Sequence, residues 1–176
     1  MKKQTTREMT LYITITGLLM AVNVAMSSFG VPVPGGHLYM NDVIICTAAL
    51  ILDPFAAFMV GGVGAFLGDF FFYPTPMFVS LVTHGLQAVV ISFISHRIFK
   101  KHQILSAAVA VFVGAVIMVV GYSLGRAFIY STPEYAILKM PFQIFQAGVG
   151  AVLGVIITYP CGIKKLYEKT MRRASR

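Results

Sequence analysis

Long apolar stretches alternate with short polar breaks along almost the whole chain, and the breaks are rich in proline, glycine and acidic residues. A helix that crosses a bilayer needs roughly 20 mostly apolar residues, fewer where protein rather than lipid surrounds it. Six segments fit, at about 9–28, 38–52, 55–71, 77–98, 104–130 and 135–163; the second is short for a full crossing. Helix 1 ends in "SFGVPVPGGH", where Pro32, Pro34, Gly35 and Gly36 exclude helix, so residues 29–37 are expected to form an outside cap loop. Asp53 and Pro54 turn the chain on the inside, and "YPTP" at 73–76 and "STPE" at 131–134 turn it outside. The predicted fold is all-α integral membrane, six transmembrane helices in one compact bundle, with 1–176 a single membrane domain and both termini cytoplasmic.

The polar residues inside these segments form a second pattern. Helix 6 carries Lys139, Gln143 and Gln146 at spacings of four and three, which share one face. Helix 4 repeats this with Ser80, His84 and Gln87, and helix 5 pairs Tyr122 with Arg126 four residues on. Helix 2 is expected to begin with Tyr39, Asn41 and Asp42, and helix 3 to end near Asp69. In the predicted topology all of them lie in the outer half of the membrane, while the inner halves are almost purely apolar. Charged groups in hydrocarbon cost roughly 2.5–3.5 kcal/mol each and face a bundle interior or a cavity. One-sided polarity therefore describes a cup open to the outside rather than a through-going pore. For any single residue a structural role competes: Arg126 or Lys139 could pair with Asp42, Asp69 or Glu134, and His84 could be a hydrogen-bonded core histidine.

Composition excludes a soluble domain: 57% of the residues are hydrophobic and 11% charged, with a mean hydropathy of +0.81. The net charge of +8 does not indicate nucleic-acid binding. Of the 14 Lys and Arg, all but Arg126 and Lys139 fall in three clusters, Lys2/Lys3/Arg7, Arg97/Lys100/Lys101 and Lys164/Lys165/Lys169/Arg172/Arg173/Arg176, the arrangement the positive-inside rule produces. The first segment lacks a small-residue cleavage site and reads as a retained helix. Cys46 and Cys161 indicate neither a disulfide nor a metal site.

Two small-residue patterns remain. In helix 1, Gly17, Ala21 and Ala25 recur every four residues, suited either to packing inside the bundle or to docking on a partner membrane protein. In helix 3, Gly61, Gly62, Gly64 and Gly68 look superficially like a nucleotide loop but lack the strand, the lysine and the Ser/Thr that a phosphate loop needs; close helix packing explains them better. No catalytic motif is present, so ATP-driven work would fall to another chain.

The six-span layout, the helix 1 stripe, "GHLYMND" at 36–42, "DPFAAFMVGGVGAFLGD" at 53–69, "MVVGY" at 118–122 and "PFQIFQAGVG" at 141–150 together make the chain similar to the substrate-binding S components of energy-coupling factor (ECF) vitamin transporters. Among these it most resembles the hydroxymethylpyrimidine/pyridoxine group, departing from it at Arg126, where an acidic residue is expected, and at His84, where a lysine is expected. The resemblance implies a high-affinity vitamin-binding subunit of a bacterial cell membrane, without cofactors, that docks on a membrane coupling subunit driven by two cytoplasmic ATPases. Tyr39, Asn41, Asp42, Asp69, His84, Gln87, Tyr122, Arg126, Lys139, Gln143 and Gln146 are the expected substrate contacts, and Gly17, Ala21 and Ala25 the partner surface. The tyrosines suit a planar pyridine or pyrimidine ring and the cations suit pantothenate or another carboxylate vitamin; neutralisation of Arg126 by Asp42 or Asp69 would favour the former. A small membrane enzyme or assembly factor, with a pair drawn from His84, Asp69 and Asp42, and a stand-alone channel or secondary transporter are the competing classes.

Overall fold

The computed structural model describes residues 5–98 and 102–175. The cluster residues Lys2, Lys3, Lys100, Lys101 and Arg176 lie outside the described residues. Helix α1 (Thr6–Ser27) starts at a capping box: the Thr5 hydroxyl accepts from Glu8 N–H at 3.2 Å, and the Glu8 carboxylate accepts from Thr5 N–H at 2.7 Å. A two-stranded hairpin follows, β1 (Val31–Val33) antiparallel to β2 (Gly36–Leu38). Then come α2 (Asn41–Ile51), α3 (Pro54–Phe72), α4 (Met77–Arg97), α5 (Gln103–Tyr130), α6 (Pro133–Thr158) and a terminal helix, α7 (Ile163–Ala174). The chain is thus an all-α membrane protein apart from the hairpin, and α1, α3, α4, α5 and α6 are long and apolar enough to cross a bilayer.

Three elements differ from the sequence reading. Residues 29–37 are not an irregular loop. Pro32 and Pro34 forbid helix, but Val31 and Val33 take an extended strand whose turn, Pro34-Gly35, has the proline-then-positive-φ glycine of a type II turn, with Gly35 at φ +80°. The hairpin claims Gly36–Leu38, so α2 starts at Asn41 rather than 38, and Tyr39 precedes it. The last long helix stops at Thr158 instead of running to 163, because Pro160 has no N–H to continue it and Gly162, at φ +80°, reverses the chain into α7.

At 11 residues, α2 spans about 16 Å, half of a hydrocarbon core roughly 30 Å thick. It tolerates that length because ten of its residues are buried in protein, against α6 on one side and α4 on another. Glycine allows the approach: a Cβ on Gly150 or Gly154 of α6 would fall 2.4 Å from Asp42 Cβ and 2.6 Å from Cys46 Cβ. The glycines of α3 serve the same purpose, as expected. A Cβ on Gly64 or Gly68 would strike Asn23 and Ser27 of α1, and one on Gly62 would lie 2.9 Å from Gly85 Cα of α4. Here α3 winds through one π turn, Met59–Val63, and the Val60 carbonyl accepts from Asn23 Nδ2 at 2.7 Å. Beneath the bundle, at the end opposite the hairpin, α7 lays Ile163 and Tyr167 on a cluster of Ala48, Ile51, Leu52, Ala56 and Val60 and presents Lys165, Lys169, Arg172 and Arg173 to solvent.

Candidate functional site

The buried face of α6 reads, from the hairpin end, Ala136, Lys139, Gln143, Gln146, Ala147, Gly150, Gly154, Thr158: polar for the first turns, then small. On α4 the buried face likewise passes from Ser80, Thr83, His84 and Gln87 to Ala88 and Ile91, with Ser92 beyond them donating to the Leu52 carbonyl. These polar turns meet at one level, directly under the hairpin, and enclose a cavity of about 40 Å³. Of the eleven expected contacts, Tyr39, Asn41, Asp69, His84, Tyr122, Arg126, Lys139, Gln143 and Gln146 line it. Asp42 and Gln87 do not; they stand behind its wall.

From there Asp42 sets the orientation of its neighbours. Its carboxylate accepts from Gln87 Nε2 at 3.1 Å and from Gln146 Nε2 at 2.7 Å. With Gln87 Nε2 so used, its Oε1 faces His84 Nδ1 at 2.6 Å, which requires the imidazole proton on Nδ1. Gln146 Oε1 in turn accepts from the Tyr39 amide at 3.0 Å, tying the chain below the hairpin to the acid. A second relay runs from the Tyr122 hydroxyl, which donates to Ser80 Oγ at 2.5 Å, through Ser80 to the Asp69 carboxylate. The Tyr122 ring meets His84 edge-on at 5.1 Å. Gln143 Nε2 donates to the Val119 carbonyl at 2.8 Å.

The two isolated cations make no ion pair. Among the described residues the single contact of ion-pair type is His84 with Asp42, at 3.9 Å. Arg126 Nη1 donates to the Gly35 carbonyl and Lys139 Nζ to the His37 carbonyl, so both hold the hairpin backbone. Arg126 also lies 5.3 Å from the centre of the Tyr130 ring, in the π turn that ends α5. The expected alternative, pairing with Asp42, Asp69 or Glu134, is therefore not what the side chains do: the glutamines satisfy Asp42 and Ser80 satisfies Asp69. Several polar atoms in the walls have no protein partner, namely His37 Nδ1, Asn41 Oδ1, Arg126 Nε and Tyr130 Oη. Burial, with Asp69 nearby, pushes the Tyr39 phenol up to about 12, so it remains a hydrogen-bond donor at physiological pH.

Comparison with known proteins now bears on this arrangement. Residues 7–165 match the family model of the ECF-type riboflavin transporter S component. The chain belongs to that family. As an S component it is a transporter's substrate-binding subunit in the membrane rather than an enzyme. It is also 29% identical over 136 residues to a Pyrococcus woesei protein described as an uncharacterized protein in the gap 3' region, covering 76% of this chain and 89% of that one.

In this S component the helix 1 stripe faces away from the bundle. Ala21 and Ala25 are exposed, a Cβ at Gly17 would meet nothing within 4 Å, and α1 buries only Asn23 and Ser27. Cavity residues that are not among the expected contacts are Gly36, His37, Tyr73, Pro76, Met118 and Tyr130. Three of these are aromatic or imidazole rings beside the breaks at the hairpin end, and that shared position was the available signal. Among the described residues no group of His, Cys, Asp and Glu is arranged to hold a metal ion.

Proposed function

We propose that this chain is the high-affinity binding subunit of an ATP-driven ECF importer and that it takes a water-soluble vitamin or vitamin precursor from outside into the cavity beneath the hairpin. The bundle acts as one membrane domain of six helices, α1–α6, with α2 a short protein-buried helix. Both termini lie in the cytoplasm of a bacterial cell, since Arg97 and the basic face of α7 gather at the end opposite the hairpin. The hairpin then faces outward as the cap. A membrane coupling subunit and two cytoplasmic ATPases complete the transporter, and the exposed Gly17/Ala21/Ala25 stripe is the surface that meets the coupling subunit, because small residues let helices approach closely in lipid.

The observation that carries this reading is the cavity lined by polar side chains at one end of the bundle, with side chains from five helices, α2 to α6, and the hairpin converging on it. At about 40 Å³ it is far smaller than the roughly 300–1,000 Å³ of ligand pockets, so the hairpin must lift to admit a ring. Tyr39, Tyr73, Tyr122 and Tyr130 offer stacking faces, which suits a pyridine or pyrimidine vitamin of the hydroxymethylpyrimidine/pyridoxine type. The lack of an acidic partner for Arg126 and Lys139 favours a second reading, pantothenate or another carboxylate vitamin. Affinity purification of the tagged chain from its native host, followed by native mass spectrometry, tests the proposal. A coupling subunit, two ATPases and a bound vitamin mass are expected; purification without these subunits, together with flux through proteoliposomes lacking ATP, would replace it with a stand-alone transporter.

A further inference from the structure

Lys139 is 2% exposed, and among the described residues neither it nor Arg126 comes within ion-pair distance of a carboxylate. Asp42 is engaged by two glutamines and His84, and Asp69 by Ser80. Backbone carbonyls satisfy one donor on each cation but supply only partial charge. A buried ion without a counter-charge is costly, and the cost falls when an opposite charge is brought to it. The hairpin turn sits between the two: a Cβ at Gly36 would lie 3.1 Å from Arg126 Nη1, and one at Gly35 would lie 3.0 Å from Lys139 Cβ. The charged ends themselves meet the hairpin two residues apart, Arg126 Nη1 at the Gly35 carbonyl and Lys139 Nζ at the His37 carbonyl. An arginine has five N–H donors and a lysine three, so donors remain on each, and Arg126 Nε is buried without a partner.

We infer that the substrate carries an anionic group, a carboxylate or phosphate, seated between Arg126 and Lys139 beneath the Gly35-Gly36 turn. The inference rests on reading this cavity as the substrate site and, of the two substrate readings given above, takes the anionic one. The same two side chains then hold the cap and the anion, so the anion takes its place in the network that keeps the hairpin down. The ring-bearing remainder of the ligand extends toward Tyr122 and His84.

Inorganic phosphate serves as the probe. Thermal unfolding of the purified protein in detergent is followed as phosphate replaces chloride at constant ionic strength. Saturable stabilisation is expected, with the half-saturating concentration raised about tenfold or more in Arg126→Gln and in Lys139→Gln, the scale of one charge-assisted hydrogen bond. Lys164→Gln/Lys165→Gln, at the opposite end, should respond as the wild type does. No preference for phosphate over chloride, an equal response in Arg126→Gln, or loss of the response in Lys164→Gln/Lys165→Gln would each overturn the inference. Where the site variants fail to fold, hydrogen exchange of the wild type decides: phosphate should slow exchange at residues 36–39 and 126–130, and slowing confined to α7 counts against it. Copurification with the coupling module tests the S-component reading separately, so a neutral vitamin recovered from an intact complex would sink the anionic group alone.

Discussion

Gln146 bridges an acid and a backbone amide: its Nε2 donates to Asp42 Oδ2 at 2.7 Å while its Oε1 accepts from Tyr39 N–H at 3.0 Å. Through this one side chain α6 holds both the start of α2 and the segment that leaves the hairpin. Gln146→Leu should leave a buried carboxylate oxygen and a backbone N–H unpartnered, at roughly 1–3 kcal/mol for each group. Thermal unfolding in detergent should show Gln146→Leu clearly less stable than wild type, and an unchanged midpoint would mean that the bridge contributes nothing.

Gly150 and Gly148 lie on the same helix but face different surroundings. A Cβ at Gly150 would fall 2.4 Å from Asp42 Cβ, whereas one at Gly148 meets nothing within 4 Å. Gly150→Val should push α2 away from α6 at a cost of about 1–3 kcal/mol or more and lower the yield of folded protein on size exclusion. Gly148→Ala should leave yield unchanged or raise it slightly.

Ser80 stands between Tyr122 and Asp69, accepting from one and donating to the other. Ser80→Ala strands both partners, while Tyr122→Phe removes a donor and leaves the Ser80–Asp69 contact intact. The first variant is expected to be the less stable by about 1–2 kcal/mol in thermal unfolding. The reverse order would show that Asp69 draws its stability from elsewhere.

If the exposed stripe of α1 meets the coupling subunit, as proposed, substitutions there separate binding from coupling. Ala21→Leu with Ala25→Leu adds bulk where the bundle has no packing to disturb, so the isolated subunit should bind ligand with wild-type affinity while uptake by cells expressing the full transporter falls at least about tenfold. Weakened binding in the isolated subunit would assign the stripe to the subunit's own fold instead.

Tyr39 supplies a pH signature. Its folded-state value, about 12, lies above the ordinary 10.0, so the folded protein holds this proton more tightly than the unfolded chain does. The resulting stability is fully present below pH 10 and is lost as pH rises from 10 toward 12. In an alkaline titration followed by phenolate absorbance, the difference between wild type and Tyr39→Phe should contain one transition near pH 12; a transition at 10 would place Tyr39 in open solvent.

Much of this was legible in the chain itself. Apolar run length and the prolines at 54, 74, 76 and 133 marked the long helices to within about five residues, because proline fits a turn or the first turn of a helix, where no N–H is needed; Pro141, inside α6, is absorbed by the helix. Helical spacing alone put Lys139, Gln143 and Gln146 on one face and Ser80, His84 and Gln87 on another, and both faces are buried at the same level. What spacing could not supply is contact between elements far apart in the chain. The hairpin depends on pairing Val31 with Leu38 and on the seat that Arg126 and Lys139 provide for its turn. The length of α2 depends on being wrapped by protein, which relieves it of crossing lipid. Which acid neutralises which base was likewise a tertiary matter: the sequence offered Arg126 three carboxylates, and packing satisfied Asp42 with glutamines and Asp69 with a serine. Hydrophobic periodicity thus determined the helices and the level of the polar layer, while the close approaches made by glycine decided the partners within it, because a hydrogen bond is set by ångström-scale geometry that no one-dimensional pattern encodes.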